Sequence, residues 1–338
     1  MKSRILLALS VVLVSCASKK EKITKATAQI QIDERISLFR NAYNMAVEDK
    51  EADSIYRNMV NDYYFESRKK YSNLRNHPLI DFIRGGKYWG VDLPSIALCF
   101  ENETYEIRKN VDFEDLNDNF KWYAARMDTL SVLLADFHQK SKNTVVKLEE
   151  INFEKFNNEL LLNKVDEKFN DFFRTTVKAK VNIYFDPLNS YVNKAITFVD
   201  DGPKITNFLI GYYSKDINDT PKHFDVQWDE NYRRAVFQGI TSSFTAKLFR
   251  KYYDKELKTA LLRPKYLDVD LEAEINSGIA AKLISVYYPK EVGEKEYERL
   301  SPNTKIVFDM MGKYVDDKEM SIKTIYKEIM IEMKNAYR

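Results

Sequence analysis

Residues 180–213 read KVNIYFDPLNSYVNKAITFVDDGPKITNFLIGYY, and this stretch decides the class of fold. Apolar and polar residues alternate along it, which is the period of a β-strand with one buried face. Turn-forming residues such as Pro187 and Gly202-Pro203 separate the alternating segments. The pattern predicts strands over residues 180–186, 191–199, 204–213 and 223–228. A further strand can begin at Ile30, so we expect a small, mostly antiparallel sheet of three to five strands.

Helical periodicity dominates the rest of the chain. After the strands, Val236, Ile240, Phe244 and Leu248 recur every four residues, which predicts a helix with one apolar stripe. The chain has only 9 glycines and 8 prolines, a balance that favours helices over many short strands. Helices are predicted over residues 33–46, 51–70, 120–139, 144–176, 230–252, 270–287, 303–315 and 320–336.

These elements predict one α+β domain over residues 28–338, mainly helical with a small sheet. Its parts are a helical region (28–178), a region with the sheet and its helices (179–290) and C-terminal helices (291–338).

The N-terminus has the layout of a secretory signal peptide. Met1-Lys2-Ser3-Arg4 is basic, residues 5–14 are apolar, and Leu13-Val14-Ser15-Cys16 closes the segment. The last four residues resemble the lipobox of bacterial lipoproteins, in which the cysteine becomes lipid-modified after cleavage. The resemblance implies a signal peptide over 1–15, acyl chains such as palmitate on Cys16, and a tether over 16–27. We therefore expect a protein anchored by lipid in the bacterial cell envelope, at the inner or the outer membrane.

Composition excludes several classes of function. The net charge of the full chain is +2, so no strong basic excess points to nucleic acid. If Cys16 carries lipid, Cys99 has no disulfide partner, and its apolar surroundings predict a buried free thiol. The three histidines and two cysteines lack the spacing of a metal site, and no glycine-rich phosphate loop is present. The sequence therefore indicates no cofactor.

Two consecutive helices resemble the core of zincin metallopeptidases. Residues 234–248 read RAVFQGITSSFTAKL, and residues 272–281 read EAEINSGIAA. The likeness is to a family of lipid-anchored bacterial proteins with a gluzincin-like domain, which carry His-Glu-x-x-His-Ser-Phe on the first helix and a glutamate on the second. In this chain the family's two zinc-binding histidines fall on Gln238 and Ser242, and its general-base glutamate falls on Gly239. The third zinc ligand falls on Glu274, with Glu272 as the second choice. An amide and a hydroxyl are poor zinc ligands and glycine cannot accept a proton, so we expect no metal and no peptidase activity here.

The resemblance also implies where a partner binds. An extended peptide or protein segment would pair with an edge strand beside the first helix. The residues expected on that edge are Thr206, Phe208, Ile210, Phe224, Val226 and Trp228. Two alternatives stay open at this point: an envelope hydrolase with a rebuilt carboxylate site, drawn from Glu272, Glu274, Asp225 and Asp229, or a structural component of an envelope assembly.

Overall fold

The computed structural model describes most of the chain beyond the N-terminal segment. The described residues are 30–51, 67–87, 93–109, 111, 120–142, 153–154, 157–158, 164–174, 180–187, 194–199, 204–211, 229–256 and 267–336. The signal peptide, Cys16 and the tether lie outside them.

A mixed sheet of four described strands lies at the centre of the fold. The strands are β1 (Ile30–Gln31), β2 (Lys180–Asp186), β3 (Lys194–Val199) and β4 (Lys204–Gly211). Their order is β1-β2-β4-β3. The strands β1, β2 and β4 are all parallel, and β3 alone runs antiparallel, along the outer side of β4.

The prediction of a mostly antiparallel sheet is therefore wrong. β3 follows β2 along the chain, but in the sheet β4 lies between β2 and β3. Ile183, Tyr184 and Phe185 are consecutive and all buried, so both faces of β2 are covered. Coverage of both faces is typical of parallel sheets.

Helices cover both faces of this sheet, and the prediction of a mainly helical fold with a small sheet is confirmed. The N-terminal layer contains α1 (Glu34–Glu51), α2 (Pro78–Arg84), α3 (Lys121–Ala124) and α4 (Met127–Ser141), with 3-10 helices at Ser72–Leu74 and Leu93–Cys99. The C-terminal layer contains α5 (Val165–Phe172), α6 (Glu230–Glu256), α7 (Leu267–Tyr287), α8 (Lys290–Glu298), α9 (Pro302–Asp316) and α10 (Ile322–Ala336).

The sheet separates two hydrophobic cores. Ile183 and Phe208, paired across β2 and β4, face the C-terminal layer. Their neighbours Tyr184 and Leu209 face the N-terminal layer. Because successive side chains of a strand point to opposite faces, two adjacent pairs serve both cores.

Most helix predictions are confirmed, with changed bounds. The stripe Ile36, Phe39, Tyr43 and Ala46 is buried along α1. The helix predicted over 120–139 is broken at residues 125–126 into α3 and α4. Of the helix predicted over 144–176, the described part is α5, and most of the one predicted over 51–70 lies outside the described residues. The helix α8 was not predicted.

Two further features concern Cys99 and the pairing of β1 with β2. Cys99 is a buried free cysteine, as expected. Since β1 from the region 28–178 pairs with β2 from the region 179–290, these two regions share one sheet.

Candidate functional site

The two helices that resemble a peptidase core are held together by polar contacts in this chain. The Gln238 Nε2 donates to Ser277 Oγ at 3.0 Å, which ties α6 to α7. Further along α6, the buried Thr245 Oγ1 donates to Asn276 Oδ1 at 2.6 Å. The position of the first expected histidine therefore serves helix packing.

Gly239 lets α6 approach the sheet closely. A Cβ atom at this position would lie 1.8 Å from Cε2 of Phe208, and the Phe208 ring is fully buried on β4. This close contact with the sheet explains the glycine at position 239. A glutamate here, as the peptidase motif requires, has no room.

The remaining motif positions do not converge on a metal site. Ser242 is half-buried on α6. Glu274 Oε1 accepts a hydrogen bond from Ser301 Oγ at 3.4 Å, at the start of α9. Within the part of the chain that the structure describes, no group of three or more His, Cys, Asp or Glu side chains could hold a metal ion. These donors do not fit zinc.

The predicted binding edge is wrong for β4. Thr206, Phe208 and Ile210 belong to a strand that is hydrogen-bonded to β2 on one side and to β3 on the other. Phe208 and Ile210 are also fully buried in the core. The other expected edge residues, Phe224, Val226 and Trp228, lie outside the described residues.

Among the carboxylates considered for a rebuilt hydrolase site, Asp229 and Glu274 have structural contacts. Asp229 caps α6, because its Oδ1 accepts from the backbone N–H groups of Asn231 and Tyr232, both at 2.9 Å. Glu272 is half-buried on α7, and Asp225 lies outside the described residues.

A polar cavity of about 320 Å³ lies where β1 leads into α1. This volume is at the lower end of the range for ligand pockets, about 300–1,000 Å³. Four separate parts of the chain contribute to its wall: residues 31–35, the loop 102–105, α4 and β2. The lining residues are Gln31, Ile32, Asp33, Glu34, Arg35, Asn102, Glu103, Tyr105, His138 and Tyr184.

An ion pair fixes the floor of the cavity at the start of α1. The Arg35 guanidinium donates from Nε and Nη2 to the two Asp33 carboxylate oxygens, at 2.9 and 2.6 Å. It also donates to the Phe100 carbonyl oxygen. Asp33 and Arg35 are therefore neutralised by each other, and this bidentate geometry leaves them little freedom to move.

The loop opposite α1 holds Tyr105 in an unusual backbone conformation. Glu103 and Tyr105 have φ values of 67° and 58°, in the left-handed region that side chains rarely adopt. The Ser131 hydroxyl, on α4, donates to the Tyr105 carbonyl oxygen at 2.6 Å, and the His138 ring lies 5.1 Å from the Tyr105 ring. Strained residues of this kind cost about 1 kcal/mol or more each and cluster at functional sites.

Tyr105 is a buried residue whose hydroxyl has no hydrogen-bond partner among the described residues. Tyr105 is 2% exposed and lines the cavity, and no described residue hydrogen-bonds its hydroxyl. Burial, and then the Asp33 carboxylate, raise the pKa of Tyr105. Its hydroxyl is therefore protonated at neutral pH and can both donate and accept.

Tyr184 completes the wall from the sheet. It is 7% exposed, and burial raises its pKa. Its hydroxyl pairs with the side chain of Gln31 on the neighbouring strand β1. Sequence reasoning missed this cavity, because its residues come from segments up to about 150 positions apart and no local pattern joins them.

No family model, curated protein or solved structure matches this chain. The likeness to zincin peptidases and to lipoproteins therefore stays a hypothesis from the sequence. Within the described residues, no helix is both long and apolar enough to cross a bilayer.

Proposed function

We propose that this chain is a lipid-anchored bacterial envelope protein that binds a peptide or protein partner in the cavity at the start of α1, without catalysis. The observation that carries the proposal is the Tyr105 hydroxyl, which has no hydrogen-bond partner among the described residues, in a residue that lines a polar cavity of about 320 Å³. A ligand in the cavity can donate a hydrogen bond to this hydroxyl or accept one from it.

The position of the cavity along the chain supports a role close to the membrane. Gln31, its first lining residue, comes about fifteen residues after Cys16. Even a fully extended segment of that length reaches only about 50 Å, at about 3.3–3.6 Å per residue. An anchor at Cys16 would thus keep the cavity near the membrane surface, where it meets partners in the same envelope compartment.

The absence of catalysis is supported by the packing at the peptidase-like helices. Gln238 is bonded to Ser277, and Gly239 leaves no room for a general base. Elemental analysis of the purified full-length protein tests this part of the proposal. Stoichiometric zinc that is lost on substitution of Ser242 or Glu274 would contradict it.

The anchor is tested in a bacterial host. The protein should be recovered in the membrane fraction, with an acyl-modified N-terminal peptide at Cys16 in mass spectrometry. The Cys16→Ser variant should lose the modification and the membrane association. An unmodified Cys16 in the wild-type protein would contradict the anchor.

Binding is tested by selection from a random peptide library on the full-length protein. Selected peptides should compete for one site and should lose affinity for the Asn102→Trp variant, in which an exposed residue of the cavity mouth becomes bulky. Glu101→Trp is the matched control, because Glu101 is exposed on the same loop but does not line the cavity. Peptides that bind both variants equally would place the binding site elsewhere.

A further inference from the structure

The negative charge of the cavity that no described ion pair neutralises indicates what the cavity binds. Asp33 and Arg35 neutralise each other. Glu34 and Glu103 also line the cavity, and neither carboxylate has an ion-pair or hydrogen-bond partner among the described residues. Two negative charges without a described partner, both on exposed side chains, therefore line the cavity, and such a site attracts cations.

The side chains around the cavity favour an organic cation over a metal ion. No described group of three metal-ligating side chains is close enough together to hold a metal. The aromatic rings of Tyr105 and Tyr184 line the wall, and such surfaces accept the apolar stem of an amine and the positive charge at its tip.

The donor and acceptor count matches an ammonium group. An alkylammonium carries three N–H donors and no acceptor. Glu34 and Glu103 supply two anionic acceptors, and the hydroxyl oxygen of Tyr105, which is 2% exposed and has no described partner, supplies the third. We propose that the cavity binds a primary alkylammonium group, presented by a lysine side chain of a partner or by a small free amine. This proposal rests on the proposed function, because it names the chemical group that the cavity recognises.

The test uses defined probes on the full-length protein. Calorimetry measures binding of 1,5-diaminopentane, of an end-capped peptide with one lysine, and of the same peptide with that lysine acetylated. Both amines should bind and the acetylated peptide should not. A tighter lysine peptide identifies the source as a protein side chain, whereas binding of the diamine alone identifies a free amine.

Two double variants separate the cavity charge from overall charge. In Glu34→Gln with Glu103→Gln, affinity for the amines should fall by about twofold to fivefold per carboxylate, because both side chains are exposed and solvent weakens their ion pairs. Glu101→Gln with Glu106→Gln removes the same charge from exposed residues that do not line the cavity, and should leave affinity within about twofold.

A third variant removes the Tyr105 hydroxyl. Tyr105→Phe keeps the ring that contacts His138 and should weaken the amines by about fivefold to tenfold. Equal binding of the acetylated peptide, or no binding of either amine, would overturn the inference. If library peptides without a basic group bind in the cavity, the inference fails while the proposed function stands. If no peptide binds there, the proposed function fails as well.

Discussion

Replacing Gly239 with alanine should destabilise the protein, although alanine is the better helix former. In the helix interior, alanine is favoured over glycine by about 1 kcal/mol. Against this, the new Cβ would lie 1.8 Å from Cε2 of Phe208, far inside van der Waals contact. The ring is fully buried in the central strand, so it has no free space to move into. Overpacking of this kind costs about 1–3 kcal/mol, and the severity of the clash places it at the upper end. We expect a net loss of about 2 kcal/mol in the free energy of unfolding.

Gly312 offers a matched control on α9. A Cβ there meets only Lys282 Nζ, at 3.7 Å, which is ordinary contact with a flexible side chain. Gly312→Ala should therefore stabilise the protein by about 0.5–1 kcal/mol. Two glycine-to-alanine changes in helices should thus have opposite signs, because only one of them faces the sheet.

Urea unfolding followed by circular dichroism measures both changes. The double variant Gly239→Ala with Phe208→Leu should recover part of the lost stability, because the smaller side chain leaves room for the methyl group. If Gly239→Ala is as stable as the wild-type protein, or if the two changes show no coupling, the assignment of Gly239 to close helix–sheet packing is refuted.

Three further predictions concern buried polar groups. Arg40 and Asp186 form an ion pair that is 2.7 Å long and almost fully buried, so Arg40→Met should lower the free energy of unfolding in urea by about 3–5 kcal/mol. Lys290→Ala removes an exposed ion pair and should change this free energy by less than about 1 kcal/mol. Similar values for the two variants would contradict the burial argument. Burial lowers the pKa of His77 below 6.5, so the unfolded chain binds this proton more readily, and stability present above pH 6.5 should be lost as pH falls toward the folded-state pKa. His77→Asn keeps a helix-capping acceptor that does not titrate, and an unchanged pH profile of its unfolding midpoint would count against this role. Burial raises the pKa of the Cys99 thiol to about 12, so a thiol reagent should modify it only on unfolding, and rapid modification of the folded protein would disprove its burial.

Much of the secondary structure could be predicted, because its signals are local. The apolar stripe predicts α1 correctly because residues three or four apart share one face of a helix. The helix α8 was missed because its sequence, KEVGEKEYE, carries almost no apolar stripe. It is held instead by contacts with distant residues: Arg234 Nε bonds Glu296 at 2.9 Å, and Gly293 packs against Ser285.

Strand direction could not be predicted for a different reason. Alternation shows that a segment has two distinct faces, but it carries no information about which strand lies beside it. We expected mostly antiparallel neighbours, whereas in the structure β4 lies between β2 and β3 and is parallel to β2.

The sequence by itself determined most of the helices, the approximate positions of β2, β3 and β4, and the buried free thiol of Cys99. The tertiary structure alone decided the strand order, the reason for Gly239 and the existence of the cavity. These features depend on contacts such as that between Gly239 and Phe208, and on the meeting of Glu34 with Tyr105 around one space. Residues so far apart in the chain are brought together by burial of the two cores on either side of the sheet. A local sequence pattern cannot predict such contacts, because it covers only residues that are near each other in the chain.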